Sequence, residues 1–205
     1  LAGEGGQGDQ NGEQDSHRRS WWMKRSARRG QHSAGVLKRG SFEDTRERTV
    51  GKTVIDGVSG VEALAGKEIG VSSWRPMTYD AIVRFADATG DHQWIHVDRE
   101  RTARESPFGK PIAHGYFTLS LIAALFFELV EVKNFSMVIN YGLNKVRFPA
   151  PLKEGQRYRL NMKLGAVTKI ANGVEGLLDA TVEVEGERKP ACVAELVFRF
   201  YGRNG

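Results

Sequence analysis

The sequence predicts an α+β fold in which a curved antiparallel sheet wraps one long buried helix. Three observations predict it: residues 114–130 are apolar on nearly every side, segments with a two-residue apolar period follow, and turn residues separate those segments. A helix that is apolar all round is a buried one, and strands of alternating polarity are typical of antiparallel sheets with one solvated face. A sheet packed on a helix explains all three observations.

The first 53 residues differ in composition from the rest of the 205-residue chain. They hold 9 of the 24 glycines, 11 hydrophobic residues, and 11 Lys and Arg against 7 Asp and Glu. Because so few apolar residues cannot form a core, we expect a disordered basic tail over 1–53, with Met23 as its first methionine, and one folded domain over 54–205. An added or upstream extension would also explain part of this tail.

Two elements are predicted before the long helix. An early strand is expected near residues 68–74. Thr78 is a plausible N-cap, apolar residues then recur at helical spacing, and Gly90 ends the run, which predicts a short helix ending at Gly90-Asp91. Residues 92–113 are polar and contain Pro107 and Pro111, so we expect an irregular segment there.

Four strands are predicted after the long helix. One precedes the turn at 149–155, two show alternating polarity over 158–164 and 178–184, and the last covers about 191–201. Turn residues at 172–173 and 185–187 indicate short hairpin connections.

Composition excludes several classes of protein. The formal charge of +5 resides mostly in the tail, because residues 54–205 carry 19 basic and 18 acidic side chains, so we expect no nucleic-acid partner. The longest apolar stretch, 119–130, is far shorter than the ~20 residues that span a bilayer, so we expect no membrane insertion. The lone Cys192 excludes an intrachain disulfide, favours a cytoplasmic location, and is interpreted as a small core residue.

Three of the five histidines, His92, His96 and His114, lie between the two predicted helices. Asp91 and His96 are five residues apart on an irregular segment and could meet over one pocket. Such a pair can hold a water, take its proton and return a proton elsewhere, which is general acid–base chemistry. From spacing alone the alternatives stay open: a solvated cap residue for Asp91 and a hydrogen-bonded histidine at the core edge for His96.

A metal site is the other interpretation of this cluster. His92 and His96 are four apart, but Gln93 stands where a zinc hydrolase motif has its catalytic glutamate, so we expect no metal. Gly115 begins the long helix, whose first N–H groups lack acceptors and can hold a developing oxyanion. The alternative for Gly115 is relief of crowding where the helix meets the sheet.

Three motifs in order carry a family resemblance. They are Gly90-Asp-His-Gln-Trp-Ile-His96, Pro111-Ile-Ala-His-Gly-Tyr-Phe-Thr-Leu119 and Gly142-Leu-Asn-Lys-Val-Arg-Phe-Pro-Ala-Pro151. Residues 61–201 resemble the MaoC-like dehydratases, the (R)-specific enoyl-CoA hydratases also called hydratase 2. Gln93-Trp94 replace an Asn-Pro of the family pattern.

The resemblance implies a hot-dog fold, a homodimer and a role in fatty acid metabolism. It implies that Asp91 and His96 position a water for addition to a trans-2-enoyl-CoA, giving the (R)-3-hydroxyacyl-CoA, and that the Gly115 N–H binds the thioester carbonyl. No cofactor is implied beyond the CoA or acyl carrier protein of the substrate. Further candidate substrate contacts are Gln93, His114, Lys145 and Arg147.

Two other functions are compatible with the same residues. A hot-dog thioesterase would direct the water at the thioester carbon, and would release free thiol. A non-catalytic acyl-thioester binding protein, similar to the NodN-like branch of the family, would bind enoyl-CoA without changing it.

Overall fold

The computed structural model describes residues 51–203. Most of the predicted tail lies outside the described residues, while Thr53, its last residue, begins the first strand; the domain boundary stays a prediction. The strands are β1 (Thr53–Asp56), β2 (Glu68–Val71), β3 (Arg75–Pro76), β4 (Val130–Lys133), β5 (Phe135–Arg147), β6 (Arg157–Ile170), β7 (Gly173–Val184) and β8 (Cys192–Gly202). The helices are α1 (Gly57–Ala63), α2 (Tyr79–Thr89), α3 (Trp94–Val97), α4 (Arg99–Glu105) and α5 (Gly115–Leu129).

The main sheet is antiparallel, as the sequence predicts. Its strands lie in the order β2, β6, β7, β8, β5, and β3 also pairs with β6. Alternate residues of β7 point into the core, so that Leu178, Ala180 and Val182 are at most 1% exposed. The short parallel pair of β1 and β4 does not correspond to any predicted strand.

The long helix α5 packs against this sheet through Ile122, Leu125 and Phe126, and the Phe126 ring stacks on Phe198 of β8 at 5.3 Å. The prediction of burial on every side is wrong for the single chain: Tyr116 is 74% exposed and Phe127 45% exposed. The physical reason is that the sheet covers only one side of the helix.

Helix α2 begins and ends where the sequence predicts. The Thr78 hydroxyl accepts a hydrogen bond from the Ala81 N–H at 3.2 Å. Gly90 ends the helix with φ of 77°, a left-handed conformation that glycine adopts without a Cβ clash, and its N–H donates to Ala86. This ending places Asp91 immediately beyond the helix.

The hairpin between β6 and β7 also forms at the predicted turn. A Cβ on Gly173 would lie 2.1 Å from the Phe200 carbonyl oxygen, so the close approach of β7 and β8 requires glycine there. The segment expected to be irregular contains α3 and α4, which are too short, at four and seven residues, for periodicity to indicate them.

One prediction about a single residue is confirmed. Cys192 is fully buried, and burial raises the pKa of its thiol to about 11, so it is a core residue. Within residues 51–203, none of the helices has the length and apolar character needed to cross a membrane.

Candidate active site

The site forms where the segment after α2 meets the segment that leads into α5. Three hydrogen bonds join them. The His96 Nδ1–H donates to the Ile112 carbonyl at 2.7 Å, the His114 Nε2–H to the Asp91 carbonyl at 2.9 Å, and the Ile112 N–H to the Ile95 carbonyl at 3.1 Å. These bonds bring Asp91 and His96 beside the first turn of α5, although about 20 residues separate the two segments.

His96 is a buried imidazole whose Nδ1 is the ring nitrogen that hydrogen-bonds within residues 51–203. It is 6% exposed, and because a carbonyl can only accept, its Nδ1 carries the proton and Nε2 has the lone pair. Burial lowers its pKa below the ordinary 6.5; the bond to Ile112 acts in the opposite direction. His96 is therefore neutral at pH 7 and can accept a proton at Nε2.

The Asp91 carboxylate lies at the open side of the site, with its side chain 56% exposed. The backbone N–H of Gln93 lies 3.4 Å from its Oδ1, which is a weak hydrogen bond. The Gln93 side chain makes no capping hydrogen bond at the start of α3. Backbone geometry after Gly90, rather than the glutamine amide, thus orients the carboxylate.

His114 lies behind both groups. It is 3% exposed, its Nε2 is 4.0 Å from Asp91 Oδ2, and its ring stacks on that of His96 with centroids 3.7 Å apart. Its Nδ1 is buried and has no hydrogen-bond partner among residues 51–203.

Asp91, His96 and His114 offer the atom types that hold transition metals, and one such atom from each lies within 4.8 Å of the others. Two of the four imidazole nitrogens donate to backbone carbonyls and cannot bind metal at the same time. The expected absence of a metal stays a prediction.

Gly115 is the first residue of α5, so its N–H has no acceptor within the helix. A Cβ at this position would lie 3.0 Å from ring atoms of Phe148, so the glycine also relieves crowding. Phe148 belongs to the third sequence motif, but its contact with Gly115 is not predictable from the motif, because the two residues are 33 positions apart in the chain.

The structure does not bring every candidate together. His92 is exposed and pairs with Asp87 Oδ1 at 2.9 Å, outside the site. Lys145 and Arg147 are exposed on β5, near the end of the strand that leads to Phe148. The Ile112 carbonyl, which holds His96, is a backbone atom that no side-chain pattern indicates.

The chain is similar in sequence to known proteins. The family profile described as "MaoC like domain" matches residues 61–186. The 3-hydroxyacyl-thioester dehydratase Z of Mycobacterium tuberculosis is 50% identical over 146 residues, covering 71% of this chain and 96% of that protein. Nodulation protein N of Rhizobium leguminosarum bv. viciae is 42% identical over 139 residues, covering 67% and 86%.

The fold also resembles solved structures. The R-hydratase PhaJ1 from Pseudomonas aeruginosa superposes with a TM-score of 0.56, covering 68% of this chain and 83% of that one. Its sequence identity is 19%, so this likeness concerns the fold alone.

Proposed function

This chain belongs to the MaoC-like dehydratase family, and we propose that it catalyses the reversible hydration of trans-2-enoyl-CoA to (R)-3-hydroxyacyl-CoA. The observation that carries the proposal is the meeting of the Asp91 carboxylate and the buried His96 imidazole beside the first turn of α5. The reaction class is that of a hydro-lyase acting on an acyl thioester.

In the proposed mechanism, Asp91 and His96 hold one water between them. His96 Nε2 takes a proton from this water, and at the same time the oxygen of the water bonds to C3 of the enoyl group. A proton from the same pair is then returned to C2 on the same face, so the elements of one water add across the double bond. Dehydration is the reverse of these steps.

The negative charge that develops on the thioester carbonyl oxygen needs a hydrogen-bond donor to stabilise it. The Gly115 N–H, at the positive end of the α5 dipole, is the group we assign to it. Gln93, Lys145 and Arg147 stay candidate contacts for the rest of the substrate, of which the two cations suit the phosphates of CoA.

Two substitutions test the pair. General acid–base catalysis typically raises a reaction rate by roughly 100- to 10,000-fold. Asp91→Asn and His96→Ala should therefore each lower kcat for crotonyl-CoA hydration by at least about 100-fold. Loss of the enoyl absorbance measures the rate, and circular dichroism checks that each variant folds. Wild-type turnover in both variants would contradict the assignment.

The products distinguish the rival functions. Chiral analysis should give the (R)-3-hydroxyacyl thioester, and an (S) product would contradict the proposal. Release of free thiol would indicate a thioesterase instead. Tight binding of enoyl-CoA with no loss of enoyl absorbance would indicate a non-catalytic binding protein.

We further propose that the active unit is a homodimer in the cytoplasm. One edge of the main sheet supports the dimer: among residues 51–203, β5 ends the strand order, and its Met137 and Leu143 are 49% and 42% exposed. Light scattering should give about twice the monomer mass, and Met137→Asp with Leu143→Asp should lower it. Val71→Asp, on the far edge of the sheet, is the control; a monomeric wild type contradicts the proposal.

A further inference from the structure

His114 is a candidate substrate contact from the sequence, but no step of the proposed reaction uses its side chain. It directly precedes Gly115, is 3% exposed, and its Nε2 lies 2.9 Å from the carbonyl oxygen of Asp91. Since a carbonyl can only accept, Nε2 carries the proton and Nδ1 is left as an acceptor. The hydrogen bond therefore assigns one tautomer to this ring.

The His114 ring also has a fixed orientation. It stacks on His96 with centroids 3.7 Å apart and planes 26° apart, and it contacts the Phe85 ring at 5.0 Å. One side chain thus touches the backbone of one proposed catalytic residue and the ring of the other.

Packing by itself does not explain a histidine here. Its Nδ1 is buried without a hydrogen-bond partner in the described part of the chain, which carries a free-energy cost that an apolar side chain would avoid. The polar function of the ring therefore lies in its other nitrogen, which holds Asp91.

The proposed hydration requires three groups, which belong to two segments of the chain, to be held in a fixed arrangement. Asp91 and His96 follow α2, whereas the Gly115 N–H belongs to α5. Displacing a reacting group by as little as 1 Å can cost about 100-fold in rate. The bond between His96 and Ile112 is one connection between these segments, and the bond from His114 to Asp91 is another.

We propose that His114 is a positioning residue, which holds the Asp91 backbone and the His96 ring in register with the Gly115 N–H through its Nε2–H bond and its stacked face. This inference rests on the proposed hydration reaction. His114 need not touch the substrate to act in this way.

Two amide substitutions at His114 distinguish the positioning role from side-chain packing alone. The side-chain nitrogen of glutamine lies near the position of imidazole Nε2, so His114→Gln can still donate to the Asp91 carbonyl. The nitrogen of asparagine lies near Nδ1, so His114→Asn cannot. We expect His114→Asn to lower kcat about 10- to 100-fold with KM changed less than about threefold, and His114→Gln to keep kcat within about threefold of wild type.

His92→Asn in the same chain is the matched control, because His92 is exposed and pairs with Asp87 away from the site. It should leave both kinetic constants unchanged. Equal kcat for His114→Gln and His114→Asn would overturn the inference. So would a rise in KM at unchanged kcat, which indicates substrate contact.

A measurement on the wild type covers the case in which a variant does not fold. Long-range ¹H–¹⁵N NMR of labelled histidines should show the Nε2–H tautomer for His114, and an Nδ1–H tautomer would overturn the inference. A wild type that hydrates no enoyl-CoA overturns the proposed function and this inference with it. An active wild type with the wrong tautomer overturns this inference alone.

Discussion

At the scale of single residues, the site pairs a buried ring with an exposed carboxylate. His96 is 6% exposed and has its Nδ1 proton bound to Ile112, whereas the Asp91 carboxylate faces solvent on its open side. Because Nδ1 of His96 donates to Ile112, its Nε2 is the nitrogen that can accept a proton. The exposed carboxylate of Asp91 can bind an incoming water.

The lowered pKa of His96 predicts how hydration depends on pH. Because burial keeps the ring neutral below its ordinary pKa of 6.5, kcat/KM should stay constant as pH falls through 6.5 and decline only at lower pH. Steady-state rates from pH 4.5 to 8 with crotonyl-CoA check this. An acid limb centred above 6.5 would contradict it.

The same shift affects stability. Between the folded-state pKa and 6.5 the unfolded chain binds more protons at this histidine than the folded chain, so the free energy of unfolding should fall as pH drops through that range. Urea unfolding of wild type and His96→Gln at several pH values measures the difference. The variant should lack this part of the pH dependence, and an identical slope would contradict the prediction.

Gly115 has two explanations that a pair of variants can separate. In Gly115→Ala the new Cβ would lie 3.0 Å from the Phe148 ring, so both stability and hydration should fall. Adding Phe148→Leu removes ring atoms and should restore the thermal midpoint. If the glycine only relieves crowding, kcat returns as well; if the substrate carbonyl must approach the Gly115 N–H closely, kcat stays at least about tenfold low.

At the scale of elements, the end of α2 determines where Asp91 lies. Gly90 has φ of 77°, and an alanine in the left-handed region costs roughly 1–2 kcal/mol. Gly90→Ala should therefore lower the free energy of unfolding by about that amount and also lower kcat. Denaturant unfolding and hydration rates measure both; Gly51→Ala, at an open position without positive φ, should change neither.

Helix α5 and strand β5 form the other element-scale feature. Both have exposed apolar side chains in the single chain, including Tyr116 on the helix and Tyr141 on the strand. A helix with an apolar exposed side and a strand with an open edge are surfaces on which a second copy could pack. This is the physical reason for proposing a dimer.

At the scale of the whole molecule, the described residues 51–203 contain the main sheet and the candidate site. The first strand already begins at Thr53, whose hydroxyl donates to the Ile69 carbonyl at 3.0 Å, and the Lys52 ammonium donates to the Phe127 carbonyl at 2.9 Å. Removal of residues 1–50 should therefore leave kcat and the unfolding midpoint within error of the full chain. Removal of residues 1–56 deletes β1 and should lower the midpoint; equal midpoints would contradict this.

Much of this architecture follows from local patterns that a chain displays without folding. Alternating polarity along β6 to β8, the Thr78 and Gly90 signals around α2, and the apolar run of α5 are short-range properties, so the α+β fold and the Asp91–His96 pair are predictable from them. The short helices α3 and α4 and the parallel pair of β1 and β4 are not predictable, because their stability comes from contacts with distant segments.

Tertiary contacts alone decided the orientation of the site. The tautomer of His96 depends on a backbone carbonyl 16 residues away, and the stacking of His96 on His114 depends on the meeting of two segments. The crowding at Gly115 depends on the ring of Phe148, the residue that follows β5. Hydrogen bonds and ring contacts of this kind form only when the chain has folded. The residue types therefore indicate the chemistry, while the folded chain determines which nitrogen of His96 can accept a proton and which side chains lie together.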